Sequence, residues 1–152
     1  MKKKILLVLL FLCFVLTLGG CGKKTVLTTE QFKNVTEQRQ MTTADVSSQY
    51  SSYEYVKEAT VATNGNYQIE FYVLDNEENA GKMFDINYNS FESYKGTTSA
   101  YSEYNLSNYH TYSLATNGKY YYIARVDNTL LYVNAEDEYK EEIKTIVKNL
   151  GY

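Results

Sequence analysis

Two Asn-Gly turns constrain the fold of this chain more than any other feature of its sequence. Asn-Gly supplies the positive φ angles that tight hairpin turns require. The flanking segments are 56–63 and 67–74 around Asn64-Gly65, and 111–116 and 120–126 around Asn117-Gly118. In 67–74 apolar and polar residues alternate, which favours a sheet with one buried face. The sequence therefore predicts antiparallel hairpins.

Capping signals and apolar periodicity predict three helices around these hairpins. The first covers about 28–40, where Thr28 and Gln31 have capping-box spacing. The second begins at Asp75-Asn76-Glu77-Glu78, which has the same spacing, and ends near Lys95-Gly96. The third opens with Glu136, Asp137 and Glu138 and is closed by Gly151.

A further strand is expected at 130–133, whereas 41–55 has the composition of a loop or edge strand and 97–109 is poorly patterned. The predicted order is α-β-β-α-β-β-β-α, an α+β fold whose mostly antiparallel sheet carries its helices on one face. A six-residue echo, Ala62–Tyr67 and Ala115–Tyr120, indicates either an internal duplication of a hairpin-plus-helix unit, with a strand gained in the second copy, or the chance recurrence of Asn-Gly turns.

The amino terminus has the layout of a secretory signal. Lys2, Lys3 and Lys4 precede an apolar stretch over 5–18, which is short of the roughly 20 residues that a membrane span needs. Leu18-Gly19-Gly20-Cys21 resembles the lipobox of bacterial prolipoproteins. A membrane span, or an ordinary cleaved signal followed by a free cysteine, are the alternatives.

The lipobox resemblance implies that residues 1–20 are removed and that Cys21 carries a diacylglyceryl group. Residues 21–27 would then be a short connector and 28–152 a single domain, anchored by lipid at the outer face of the cytoplasmic membrane. The domain also resembles small uncharacterised lipoproteins of Gram-positive bacteria, through the segment 125–133 and the ending Gly151-Tyr152. This second resemblance implies a location at the membrane and no known activity.

The net charge and the tyrosine content limit the classes of partner that the chain is expected to bind. Three of the 15 basic residues lie at positions 2–4, so the rest of the chain has 12 basic against 18 acidic residues, a net charge of −6. An acidic domain is a poor nucleic-acid binder, and no nucleic acid is expected. The 17 tyrosines suit half-buried strand surfaces, or alternatively a tyrosine-lined binding face.

The sequence contains no recognisable catalytic set. His110 is the only histidine, so no His-based metal cluster is expected. The sequence has no glycine-rich phosphate loop, so no nucleotide cofactor is expected either. The most function-like cluster is Tyr121, Arg125, Asp127 and Asn128, where alternation places an arginine beside aromatic and acidic neighbours. The alternative is a surface pair of Arg125 and Asp127 stacked on Tyr121.

Three functions remain open. The first is a non-catalytic, membrane-anchored binding or accessory domain that presents a sheet face to an envelope protein or a wall component. A ligand-sized pocket lined by convergent polar groups would count against that hypothesis. The second is an extracytoplasmic hydrolase of wall polymer, with two carboxyl groups across a cleft. The third is an inhibitor- or immunity-type lipoprotein with a protruding loop at 97–109.

Overall fold

A computed structural model describes residues 23–152, which form one seven-stranded antiparallel sheet with three helices. The predicted signal segment and Cys21 lie outside the described residues. The helices are α1 (Thr29–Glu37), α2 (Glu77–Ser93) and α3 (Lys140–Asn149). The strands are β1 (Thr42–Asp45), β2 (Val56–Thr63), β3 (Gln68–Leu74), β4 (Ala100–Leu106), β5 (Tyr109–Thr116), β6 (Lys119–Val126) and β7 (Thr129–Glu136). Among residues 23–152, no helix combines the length and the apolar character needed to cross a membrane.

The order of the sheet is β1-β2-β3-β7-β6-β5-β4, and tight turns set the part from β4 to β7. Two-residue turns begin at Ser107, Asn117 and Asp127, and each of these residues has a φ angle between 45° and 51°. Gly118 follows at φ 76°, so Asn117-Gly118 has the paired positive angles of a twisted hairpin. β4 through β7 are therefore joined by three successive hairpins.

Local signals in the sequence fix the helix ends. Thr28 and Gln31 form a complete capping box at the start of α1. The side chain of Asn76 accepts a hydrogen bond from the Asn79 amide and caps α2. After α3, Gly151 lies at φ 84° and the Tyr152 amide donates to the Val147 carbonyl, which closes the helix in a Schellman arrangement.

Both faces of the sheet carry a hydrophobic core. On one face α1 and α3 pack Phe32 and Ile143 against Phe71 of β3 and neighbouring strand residues. On the other face α2 packs Phe84 and Phe91 against the opposite side of the same strands. Leu130 and Leu131 are adjacent, fully buried, and belong to opposite cores, so the centre of the sheet is apolar on both sides.

The predicted fold is therefore wrong in two respects. The order is α-β-β-β-α-β-β-β-β-α, with two strands more than the predicted α-β-β-α-β-β-β-α, and the helices lie on both faces of the sheet instead of one. The extra strands, β1 and β4, are the two edges of the sheet. Most of their side chains are exposed, so neither shows the alternation that marks a half-buried strand.

A duplicated hairpin-plus-helix unit, one of the two interpretations of the six-residue echo, does not match the structure. The β2-β3 hairpin leads into α2, and the β5-β6 hairpin leads through the added strand β7 into α3, as a duplication with one gained strand requires, but the two units differ in other ways. The two helices lie on opposite faces, and the first turn has four residues between its strands where the second has two. The loop expected over 97–109 is also absent, because β4 occupies 100–106 and is paired along its length with β5.

Candidate functional site

The predicted cluster of Tyr121, Arg125, Asp127 and Asn128 lies along β6 and its turn into β7. The Arg125 guanidinium donates to Glu77 Oε1 at 2.9 Å and to the Asp127 carbonyl at 3.3 Å. Asn128 Nδ2 donates to the Leu74 carbonyl at 2.9 Å. Arg125 thus joins β6 to the start of α2, and Asn128 joins the turn to the end of β3.

The other two members of the cluster point to different neighbours. The Tyr121 ring packs against Phe91 and Tyr94, with ring centroids 5.0 and 5.2 Å apart. The Asp127 carboxylate accepts a hydrogen bond from Asn108 Nδ2 at 3.1 Å. The structure therefore brings Arg125 to the Asp127 backbone and not to its carboxylate, and it places Tyr121 in the packing around α2.

A different site lies on the sheet face that carries α1 and α3. The helices leave β4 and β5 uncovered there, and an open groove of about 530 Å³ runs between these strands and α3. We call it the lysine groove. Its lining consists of Lys24, Ala100, Tyr101, Ser102, Tyr104, Tyr109, Thr111, Ser113, Ala115, Tyr120, Tyr122, Lys140, Lys144, Val147, Lys148 and Tyr152.

The wall of the lysine groove is a stripe of cations on α3. Lys140, Lys144 and Lys148 are spaced by four residues and share one face of the helix, about 6 Å apart along its axis. The i, i+4, i+8 spacing was visible in the sequence, but the strands that face it were not predictable as neighbours.

Only part of this positive charge is neutralised. Lys144 pairs with Glu141 at 2.9 Å, and Lys140 lies 4.0 Å from Asp137. Within residues 23–152, neither Lys148 nor Lys24 forms an ion pair with a carboxylate. The groove is thus a positive site on a domain whose overall charge is negative.

Lys24 closes one end of the lysine groove. Its ammonium donates to the Gly151 carbonyl at 2.8 Å and lies 4.7 Å from the centre of the Tyr109 ring. Partial burial lowers the pKa of this amine from its ordinary value. Its backbone is also fixed, because the Lys24 amide donates to Asn108 Oδ1 at 2.9 Å and Asn108 Nδ2 donates to the Lys24 carbonyl at 2.8 Å.

The floor of the groove is aromatic and uncharged. Tyr120 and Tyr122 are buried at its base, and Tyr152 binds the Thr129 hydroxyl. Burial raises the pKa of Tyr120 to about 12, and it raises the pKa of Tyr122 and Tyr152 further. These phenols are therefore neutral near pH 7 and add no negative charge to the groove.

The chemistry of the lining suits the binding of anions. Of the residues described, those that line the groove include no Asp, Glu, His or Cys, so it holds no carboxylate or imidazole base. Ammonium groups beside neutral hydroxyls form charge-assisted hydrogen bonds with phosphate or carboxylate oxygens. Residues 23–152 contain no group of three or more His, Cys, Asp or Glu side chains that could hold a metal ion.

The opposite sheet face holds a second polar cluster, which joins the edge strand β4 to α2 and β5. His110 Nε2 lies 2.8 Å from Glu103 Oε1, and its ring stacks on Phe84 at 4.1 Å. The Tyr112 hydroxyl donates to Glu92, and this bond lowers the pKa of the Glu92 carboxyl from its ordinary value. The two carboxylates are thus committed to partners within the domain.

Comparison with known proteins finds no matching family model, no matching curated protein and no matching solved structure.

Proposed function

We propose that this chain is a lipid-anchored, extracytoplasmic, non-catalytic binding domain, and that the lysine groove binds an anionic, phosphate-bearing component of the cell envelope. The observation that carries the proposal is the stripe of Lys140, Lys144 and Lys148 facing an uncovered, tyrosine-rich floor. The lipid anchor rests on the lipobox at Leu18–Cys21. Two acyl chains suffice for stable attachment to a bilayer.

The form of the groove favours an extended ligand. Lys140 and Lys148 are separated by two helical steps of four residues, so the cations span about 12 Å. A chain with repeating phosphates can contact several of them at once, whereas a single small anion contacts one or two. A ligand-sized groove with convergent polar groups also counts against the hypothesis that a flat sheet face binds a protein. An envelope component other than a protein is therefore favoured.

The hydrolase hypothesis has less support. It requires two carboxyl groups across a cleft, one of them with a raised pKa. The described carboxyl groups with shifted pKa values are Asp45, Glu78 and Glu92, and all three shifts are downward. The inhibitor hypothesis loses its protruding loop, since 100–106 is a strand of the sheet.

Binding of inorganic polyphosphate as a function of salt tests the proposal. We expect polyphosphate to bind the full chain with an affinity that falls steeply with salt, because each phosphate contact releases a counterion. The Lys140→Gln/Lys144→Gln/Lys148→Gln variant should weaken binding by at least about tenfold and reduce the magnitude of the salt slope by about two.

A control variant with the same change in net charge is Lys33→Gln/Lys57→Gln/Lys82→Gln, none of which lines the groove. It should bind polyphosphate nearly as the unmodified protein does. Equal losses in the two variants would mean that only total charge matters, and that result would overturn the proposed site.

A further inference from the structure

The point where the chain enters the domain is held at the end of the lysine groove. Lys24 is fixed by two backbone hydrogen bonds to Asn108 and by its ammonium on Gly151. Cys21 is three residues earlier, and three extended residues reach at most about 11 Å. A lipid on Cys21 therefore keeps this end of the groove within about 11 Å of the residue that is attached to the bilayer.

The charge distribution is strongly uneven. Residues 23–152 hold 12 basic and 18 acidic side chains, and four of the basic ones line the groove. Without those four lysines the remainder has 8 basic against 18 acidic side chains, a net charge of −10. A negatively charged surface therefore attracts the groove and repels most of the rest of the domain.

Resting on the proposed function, we propose that the phosphate-bearing partner of the lysine groove is the membrane itself. The groove lies against the anionic headgroups of the bilayer that holds the anchor, and α2 faces away from it. Lys24 and Lys148 contact headgroups nearest the anchor, and Lys144 and Lys140 follow along α3. Docking by this face is reinforced because Lys24, close to where the described chain begins, lines the same groove as the three lysines of α3.

The acidic groups near this face oppose docking only in part. Glu141 lies on α3 and is paired with Lys144, and Asp137 lies beside Lys140. Asp127 is at the anchor end, where its carboxylate accepts a hydrogen bond from Asn108. These carboxylates are already paired with donors, whereas Lys148 and Lys24 have no carboxylate partner among the described residues.

Energy transfer from the domain to the bilayer tests the orientation. The full-length, lipidated protein is reconstituted into vesicles that contain phosphatidylglycerol, with an acceptor dye in the headgroup region. A donor dye is attached in separate samples through Thr145→Cys on α3 and through Ile86→Cys on the exposed side of α2. We expect clearly stronger transfer from position 145, because a sheet and two helix layers separate the labels by about 20 Å.

The difference between the two labels should shrink in vesicles of phosphatidylcholine alone, at high salt, and in the Lys140→Gln/Lys144→Gln/Lys148→Gln variant. It should also shrink in Asn108→Ala, which frees Lys24, while Asn66→Ala at an exposed turn leaves it unchanged. Equal transfer from both labels on anionic vesicles, with polyphosphate binding intact, would overturn the membrane-facing orientation alone. On vesicles of phosphatidylcholine alone, which lack the negative charge that attracts the groove, the processed chain 21–152 carrying Cys21→Ala should not associate, and association that survives there would overturn the lipid anchor on which both proposals rest.

Discussion

Gly118 and Gly81 both have open space where a Cβ would stand, but their backbones differ. Gly118 lies in the β5-β6 turn at φ 76°, a left-handed conformation that L side chains rarely adopt. Gly81 lies inside α2, and no atom outside its own helix stands within 4 Å of an added Cβ. The cost of a methyl group at each position is therefore set by backbone conformation and not by crowding.

We expect Gly118→Ala to lower the free energy of unfolding by about 1 kcal/mol. Gly81→Ala should raise it by about 0.5–1 kcal/mol, because alanine loses less backbone entropy than glycine in a helix. Urea denaturation of the two variants measures both changes. A stabilising Gly118→Ala would show that the turn does not hold its left-handed angles in solution.

The edge strand β4 depends on side chains for part of its attachment, since it has a strand neighbour on one side only. On the α2 face, Glu103 contacts His110 and Tyr88, and the Lys95 ammonium lies 3.3 Å from the centre of the Tyr101 ring. β4 also borders the lysine groove through Ser102 and Tyr104 on its other face. Loosening β4 would therefore widen the groove.

We expect Glu103→Ala to speed amide hydrogen exchange in β4 several-fold, because it removes the bonds to His110 and Tyr88. Exchange in β7, at the centre of the sheet, should be little changed. Asn105→Ala, two residues along the same strand, is the control. Unchanged exchange in Glu103→Ala would mean that backbone pairing with β5 alone holds the edge.

The elements that the sequence predicted correctly are those with local signals. The helix caps and the hairpin turns are local signals, so Thr28, Asn117-Gly118 and Gly151 led to elements that the structure contains. The edge strands are mostly exposed on both faces and gave no pattern. The signal for a sheet covered on both faces was the adjacent pair Leu130 and Leu131, which are both buried. The alternation in β3 instead predicted a sheet with one buried face.

The candidate site was beyond sequence reasoning for a related reason. The groove forms because the sheet order brings Lys24, β4, β5 and α3 together. The turns do not determine that order, because β3 and β4 are joined through the helix α2. Arg125 stands out in the sequence because arginine is rare in the chain. In the fold its nearest acidic side chain is Glu77, which is 48 residues away in sequence.

At the scale of the whole molecule, buried tyrosines link stability to alkaline pH. Burial raises the pKa of Tyr120 from 10.0 to about 12, and the pKa values of Tyr67, Tyr72, Tyr112, Tyr122 and Tyr152 rise as well. Between pH 10 and 12 the folded protein keeps protons that the unfolded chain releases. The stability associated with these groups is therefore full below about pH 10 and is lost as the pH rises towards 12.

We expect alkaline unfolding in which tyrosinate absorbance and the loss of circular dichroism occur together above pH 10. Tyr122→Phe should make the loss of stability with pH less steep, because it removes a buried group that must ionise. Tyr53→Phe, at an exposed ring, should leave the slope unchanged. Ionisation of most tyrosines before any loss of structure would contradict this account.

The central claim is that the lysine groove binds a phosphate-bearing component of the envelope, and photo-crosslinking in intact cells tests it most directly. A photoreactive residue is placed at Ser113 on the groove floor and, as a control, at Ser90 on α2. We predict phosphate-containing adducts from position 113, reduced by Lys140→Gln/Lys144→Gln/Lys148→Gln and absent from position 90. Adducts without phosphate at position 113, or equal phosphate-containing adducts from both positions, would contradict the claim.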